Sequence, residues 1–396
     1  MDGLRPPSDR LPQSFNFRVL AIDGGGIRGI IPATFLAALE GLLDEALARR
    51  RADPAGATEW AGIDQPRIAD CFHLIAGTST GGLLAAGLTT TDANGRPKLP
   101  ASDAADVYVE YGTAIFHRPL LRNVLDHFGL LAPKYPLGQL RQVLERDSVL
   151  GGGLLKDART EVLIVAFDTA LPGPRFFTRW GAPGAEGTPS DPSETMVQVA
   201  LATAAAPTYF EPEVIGRGPM IDGGVYAGNP ALAAITMALR RTVTPVPRTA
   251  ADLFMVSLGT GAWSRALDFG GGGILGWLWP RTGGEALIEA MLGGSGDFAN
   301  EAAHLLLNGN SETTPPPSGP GDAPENVWWE PNLPRTSIGA GPQLWRYQPP
   351  LPGPWALDDV SKLAALKQIA DELVQTYEAE MGRLAEMLID AGPVPT

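Results

Sequence analysis

Four short runs, Phe17–Asp23 (FRVLAID), Phe72–Ala76 (FHLIA), Val162–Phe167 (VLIVAF) and Leu253–Leu258 (LFMVSL), are largely apolar and do not alternate with polar residues. A strand with one wet face alternates, whereas a continuous apolar strand is covered on both faces. Helical spacing of apolar residues separates the runs. Phe35, Leu36, Leu39, Leu42, Leu43, Ala46 and Leu47 follow Pro32, which suits a first helical turn, and Arg49–Arg51 fit the negative end of that helix. Further helices are expected around 81–90, 102–116, 136–146, 193–205 and 229–241. Strands that alternate with helices predict an α/β fold of three layers, α/β/α, around a mostly parallel central sheet. Residues 1–15 read as a polar lead-in and 16–396 as one domain. Within it, 313–334 is a Pro/Gly-rich loop and 357–390 a helical segment that packs on the core and stops at Gly392-Pro393.

Charge narrows the function. Thirty Lys and Arg against 44 Asp and Glu give a net charge of −14, which disfavours a nucleic-acid polymer as partner and gives no attraction to an anionic membrane. The single cysteine, Cys71, cannot form an intrachain disulfide and fits a reducing compartment. The first residues contain no apolar core of a secretory signal, so the expected location is the cytoplasm. The uncharged run Cys71–Thr91 holds glycines and hydroxyl residues and reads as strand, turn and buried helix rather than a membrane span.

Gly77-Thr78-Ser79-Thr80-Gly81 has the form G-x-S-x-G between a predicted strand and a predicted helix. In that context the serine is lifted out of a sharp turn and exposed as a nucleophile at a helix N-terminus. Gly82, Ala85, Ala86 and Gly87 are small enough to let the helix pack close to the sheet. A serine nucleophile needs an oxyanion site and a base. Asp23-Gly24-Gly25-Gly26-Ile27-Arg28-Gly29 supplies a glycine loop whose N–H groups can converge, with Arg28 either holding the loop or meeting a phosphate. The same glycines also satisfy G-x-G-x-x-G (Gly24, Gly26, Gly29), the fingerprint of a nucleotide-binding oxidoreductase. Against that reading, Asp23 adjoins the glycines, and the segment about 20 residues on is helical, with no second strand ending in a ribose-binding acid.

Four histidines are available as base: His73, His117, His127 and His304. Only His304 stands in the Ser…Asp…His order of an α/β-hydrolase triad, and it sits in an apolar helical stretch (AAHLLL). Asp222, in Met220-Ile221-Asp222-Gly223-Gly224, follows a short apolar segment, and glycines behind it permit close backbone approach. Acidic residues are scattered without calcium-loop spacing, and no cofactor or metal is expected.

DGGGIRG at 23–29, GTSTG at 77–81 and DGG at 222–224, in that order, resemble the patatin-like phospholipases. The likeness extends through LAIDGGGIRGIIPATFLAALE, FHLIAGTSTGGLLAAGLT, ATAAAPTYFEP, DGGVYAGNPAL, SLGTG and WRYQPPL, over about residues 16–390. It implies a serine hydrolase of phospholipase A or lysophospholipase type acting on acyl lipids. The nucleophile would be Ser79 and the base Asp222 in a dyad without histidine, with Gly24, Gly25, Gly26 and Arg28 at the oxyanion hole. Ala204 stands where the resemblance leads one to expect serine, and Gly228 where it leads one to expect asparagine. The run Ile274–Trp279, with two tryptophans beside a glycine tract, is the candidate for peripheral membrane contact.

Overall fold

The structure is a computed structural model. It describes residues 17–52, 58–116, 133–179, 193–216, 218–240, 249–262, 286–308, 343–353 and 355–395. Ile274–Trp279, the stretch 313–334, His117 and His127 lie outside these residues.

The four apolar runs are strands: β1 (Phe17–Ile22), β2 (Leu74–Thr78), β3 (Glu161–Asp168) and, later in the chain, Leu253–Leu258. Four more strands complete one mixed sheet: β4 (Gly173–Thr178), β5 (Glu213–Ile215), β6 (Gly218–Asp222) and β8 (Leu344–Tyr347), with Leu253–Leu258 as β7. Strands β3, β2, β1, β7 and β8 are parallel neighbours in that order, whereas β4 and β6 run antiparallel to β3.

Helices flank both faces. They are α1 (Ile30–Ala52), α2 (Thr80–Thr89), α3 (Ala101–Ile115), α4 (Leu137–Leu144), α5 (Met196–Ala204), α6 (Ala231–Arg240), α7 (Ala286–Asn308), α8 (Leu363–Thr376) and α9 (Glu378–Asp390). Successive strand residues point to opposite faces. Leu20, Ile22, Ile75, Ile164 and Val256 therefore pack against the helices of one layer, α1 to α5 with α8 and α9. Val19, Ala21, Ala76, Val165 and Met255 pack against α6 and α7 on the other. Long apolar α1 lies inside this arrangement, 72% of its most apolar window buried.

The pairing along β3 sets up everything that follows. Leu163–Val165 pair with β2 on one side and with β4 on the other. Ala166–Asp168 pair with β4 and also with β6. One residue cannot pair twice on the same edge, so β6 occupies the edge held by β2, just past its carboxyl end. Thr78, the last residue of β2, faces Val165, and Asp222, the last residue of β6, faces Ala166.

Candidate active site

That register brings Asp222 to the residue after Thr78. Ser79 has φ 53 and ψ −124, a conformation that costs a non-glycine residue about 1–3 kcal/mol. The turn is tight because α2 must start directly against β1. A Cβ on Gly81 would lie 2.1 Å from the Ile22 carbonyl oxygen. The strained amide is held from outside: the Ser79 N–H donates to Thr203 Oγ1 at 2.8 Å, and that hydroxyl donates to the Val165 carbonyl at 2.5 Å. Thr203 is fully buried. Thr203→Val keeps the shape and removes the acceptor, leaving a buried N–H without a partner, which costs about 1–3 kcal/mol. The expected outcome is a lower urea midpoint and a fall of about tenfold in kcat with KM little changed. Thr203→Ser, which keeps the hydroxyl, restores both.

The Asp222 carboxyl lies close enough to the Ser79 side chain for the serine to lower its pKa. Its Oδ1 accepts from the Gly224 N–H at 2.7 Å, and its own N–H donates to the Ala205 carbonyl at 2.9 Å. The residue is 4% exposed. Burial pushes its pKa up to about 7, against the opposing effects of Ser79 and the Gly224 N–H. A carboxylate so raised is a far better proton acceptor at neutral pH than an ordinary aspartate.

The glycine loop lies directly over the serine. A Cβ on Gly24 would come within 3.2 Å of Ser79 Cβ. The amides of the loop are not equivalent. The Gly24 N–H donates to the Gly228 carbonyl at 2.9 Å, so it is not available to an oxyanion, contrary to the expectation for three donors. The Gly25 and Gly26 N–H groups have no acceptor among the described residues. Gly26 has φ +57, and a Cβ there would strike the Leu357 carbonyl at 2.2 Å, so glycine is required. Arg28 is turned away from the loop's open side: its Nε donates to the Gly25 carbonyl at 3.2 Å and its Nη2 meets Glu289 at 3.4 Å. These two contacts brace the loop. Asp23 is buried under the guanidinium fork of Arg346, Nη1 to Oδ1 at 3.0 Å and Nη2 to Oδ2 at 2.5 Å. Burial still raises its pKa, with Arg346 opposing.

Two alternatives fall on geometry. The glycines of G-x-G-x-x-G make room for protein atoms rather than a pyrophosphate: Gly24 for Ser79, Gly26 for Leu357, and Gly29 for Thr80 Oγ1, 2.1 Å from a Cβ placed there. A triad through His304 fails as well. Leu292 of α7 packs beside Gly24 and Gly224, and His304 lies twelve residues further along the same helix, about 18 Å away along its axis. Four residues beyond it, Asn308 Oδ1 accepts from the Gln343 and Leu344 N–H groups where β8 begins, at the opposite end of the sheet. His73 is there too, accepting from the Arg18 N–H at 3.0 Å and stacked on Phe17.

A family model, "Patatin-like phospholipase", matches residues 20–235. The chain belongs to this family. Among its relatives, "Probable inactive patatin-3-Kuras 1" of Solanum tuberosum is 36% identical over 284 residues, 66% of this chain and 68% of the relative. "Patatin-like protein 1" of Oryza sativa subsp. indica is 32% identical over 315 residues, covering 73% and 70%. "Patatin-17" of Solanum cardiophyllum is 36% identical over 263 residues, covering 62% and 61%. The crystal structure of VipD from Legionella pneumophila aligns with 92% of this chain and 67% of its own at 12% identity, with a TM-score of 0.33, too low to support an argument.

The two departures from the patatin-like pattern have physical settings. A Cβ on Gly228 would come 2.6 Å from the Leu292 carbonyl, so an asparagine there would push α7 off the site. Ala204 lines the apolar cavity described next, where a serine would add a hydroxyl. Ser79 lines that cavity, which is walled by α2, α3 and α4 with Tyr209, Phe210 and Leu357.

Thr203, Thr260, Glu289, Arg346 and Leu357 were given no individual role from the sequence. Thr260 Oγ1 donates to the Gly24 carbonyl at 2.7 Å, and the Leu357 carbonyl accepts from Ile27 N–H at 2.7 Å. All five support the nucleophile turn or the glycine loop from distant parts of the chain. Thr203, Thr260 and Arg346 lie inside the family-like segments ATAAAPTYFEP, SLGTG and WRYQPPL, the one signal that could have found them.

Proposed function

We propose that this patatin-like protein is a lipid acyl hydrolase of phospholipase A or lysophospholipase type. One observation carries the reading: a serine in a strained turn, lining an apolar cavity, has a buried carboxyl one ladder position away whose pKa it perturbs. Ser79 Oγ attacks the ester carbonyl while Asp222 accepts its proton. The oxyanion meets the Gly25 and Gly26 N–H groups and the positive end of α2. The carbon–oxygen bond to the alcohol breaks, the alcohol leaves with the proton held by Asp222, and the acyl group stays on Ser79. Water then attacks, giving its proton to Asp222, and the fatty acid departs as Oγ regains that proton. Family membership alone does not decide activity, since one relative carries "inactive" in its name; the argument rests on the residues present here.

The test is twofold. A fluorophosphonate probe is expected to label the wild type at Ser79, located by peptide mass spectrometry. Phosphatidylcholine vesicles incubated with the protein are expected to release free fatty acid. Labelling elsewhere, or release of phosphate or headgroup without fatty acid, rejects the reading.

A further inference from the structure

The next inference rests on the hydrolase reading and concerns what the cavity accepts. From Ser79 the cavity follows one face of α2, whose Thr80, Leu83, Leu84 and Gly87 all line it. These positions, i, i+3, i+4 and i+7, share a helix face. Gly87 lies seven residues beyond Thr80, about 10 Å along the axis.

Gly87 reads in the sequence as one of the small residues that let α2 approach the sheet. The structure separates it from the others. A Cβ on Gly81 or Gly82 would lie 2.1 Å from the Ile22 carbonyl or 2.6 Å from Thr203 Cγ2, whereas a Cβ on Gly87 would meet only Leu99 Cδ1, at 3.9 Å. Yet Gly87 is buried. In a close-packed interior, a buried residue with room for a side chain borders a cavity, and Gly87 and Leu99 both line this one. Leu99 and Leu150, 6% and 1% exposed, line it there too. Glycine is also a poor helix former, and packing on the sheet does not require it here.

We propose that the space beside Gly87 holds the terminal methylenes of a long acyl chain whose carbonyl sits at Ser79, so that residue 87 sets the chain length this enzyme accepts. A side chain there would block the far end and shift preference toward short acyl groups.

The experiment compares wild type, Gly87→Ala and Gly87→Leu on p-nitrophenyl esters of four to sixteen carbons, taking the long-to-short ratio of kcat/KM within each protein. Thermal melts verify folding, and Gly138→Leu on an exposed turn of α4, where a Cβ meets nothing within 4 Å, serves as control. Displacement of a fluorescent fatty acid by fatty acids of graded length provides a second readout that needs no catalysis. Gly87→Leu is expected to lower the long-to-short ratio by at least roughly 10- to 100-fold, the discrimination that even one methylene gives in an apolar pocket, with Gly87→Ala intermediate and the same order in displacement. A folded Gly87→Leu with a wild-type ratio and wild-type displacement overturns the inference. If the wild type binds long chains but cleaves no ester, the hydrolase reading fails, and the displacement series still decides the role of residue 87.

Discussion

Ser79→Ala is expected to lower kcat/KM for acyl-ester hydrolysis by about 10⁴- to 10⁶-fold, the scale seen when the nucleophile of a serine hydrolase is removed. The magnitude follows from the division of labour at the site. Without Oγ, Asp222 can only assist water directly, and the Gly25 and Gly26 amides face a carbonyl that no protein nucleophile attacks. The fold should survive, because Ser79 makes its structural bond through its backbone N–H, which Thr203 still receives. A p-nitrophenyl ester assay with a circular dichroism melt measures both. Loss of activity together with loss of the melt would assign Ser79 to folding, and retained activity would place the nucleophile elsewhere.

Asp222→Asn is expected to cost about 10²- to 10⁴-fold in kcat, the usual worth of a general base, and to stabilise the protein. The second effect follows from the raised pKa. The unfolded carboxyl titrates near 3.9 and the folded one at about 7. Between those values the native state binds more protons than the unfolded state, so stability falls as pH rises. The contribution of the neutral carboxyl is complete below about pH 4 and gone above about pH 7. Asparagine resembles the neutral acid and still accepts from Gly224. At about pH 8 it is therefore expected to exceed the wild type in unfolding free energy by ~4 kcal/mol, with little difference near pH 4. Wild-type kcat/KM should rise through pH 7 and then level, because only the ionised acid takes the serine proton. Urea titrations at the two pH values and a pH–rate profile test the pair of claims. A rate that rises instead through pH 4 would show Asp222 to be an ordinary exposed acid.

The turn that carries Ser79 was legible from local sequence, because a strand, a G-x-S-x-G turn and a helix are contiguous and the turn's shape is set by its neighbours. The parallel core was legible for the same reason: β1, β2, β3 and β7 are continuous apolar runs. Asp222 was not. Asp-Gly-Gly is a common turn, and what distinguishes it is the pairing of β6 with the edge of β3, a contact between segments far apart in sequence. The resemblance supplied Asp222 where pattern alone could not. Strands β4, β5, β6 and β8 are short or lie at the sheet's margins, with mixed burial such as the alternating β6 pattern, and their periodicity is too brief to register. The unequal amides of the glycine loop were equally hidden, since the bond from Gly24 to Gly228 depends on how the segment after β6 returns across the site.

Since β2 and β6 both dock on a single edge of β3, the distance between hydroxyl and carboxyl is measured in ladder rungs and not in loop length. Connections other than the stretch around Thr203 and Ala205, which grips both Ser79 and Asp222, can therefore grow, shrink or acquire a new module in related sequences without moving either group. A single residue inserted into β3 between Val165 and Ala166 would shift one partner by a rung and turn its side chain to the other face. Diversity in this lineage should therefore accumulate in the connections, while the length of that one strand stays invariant.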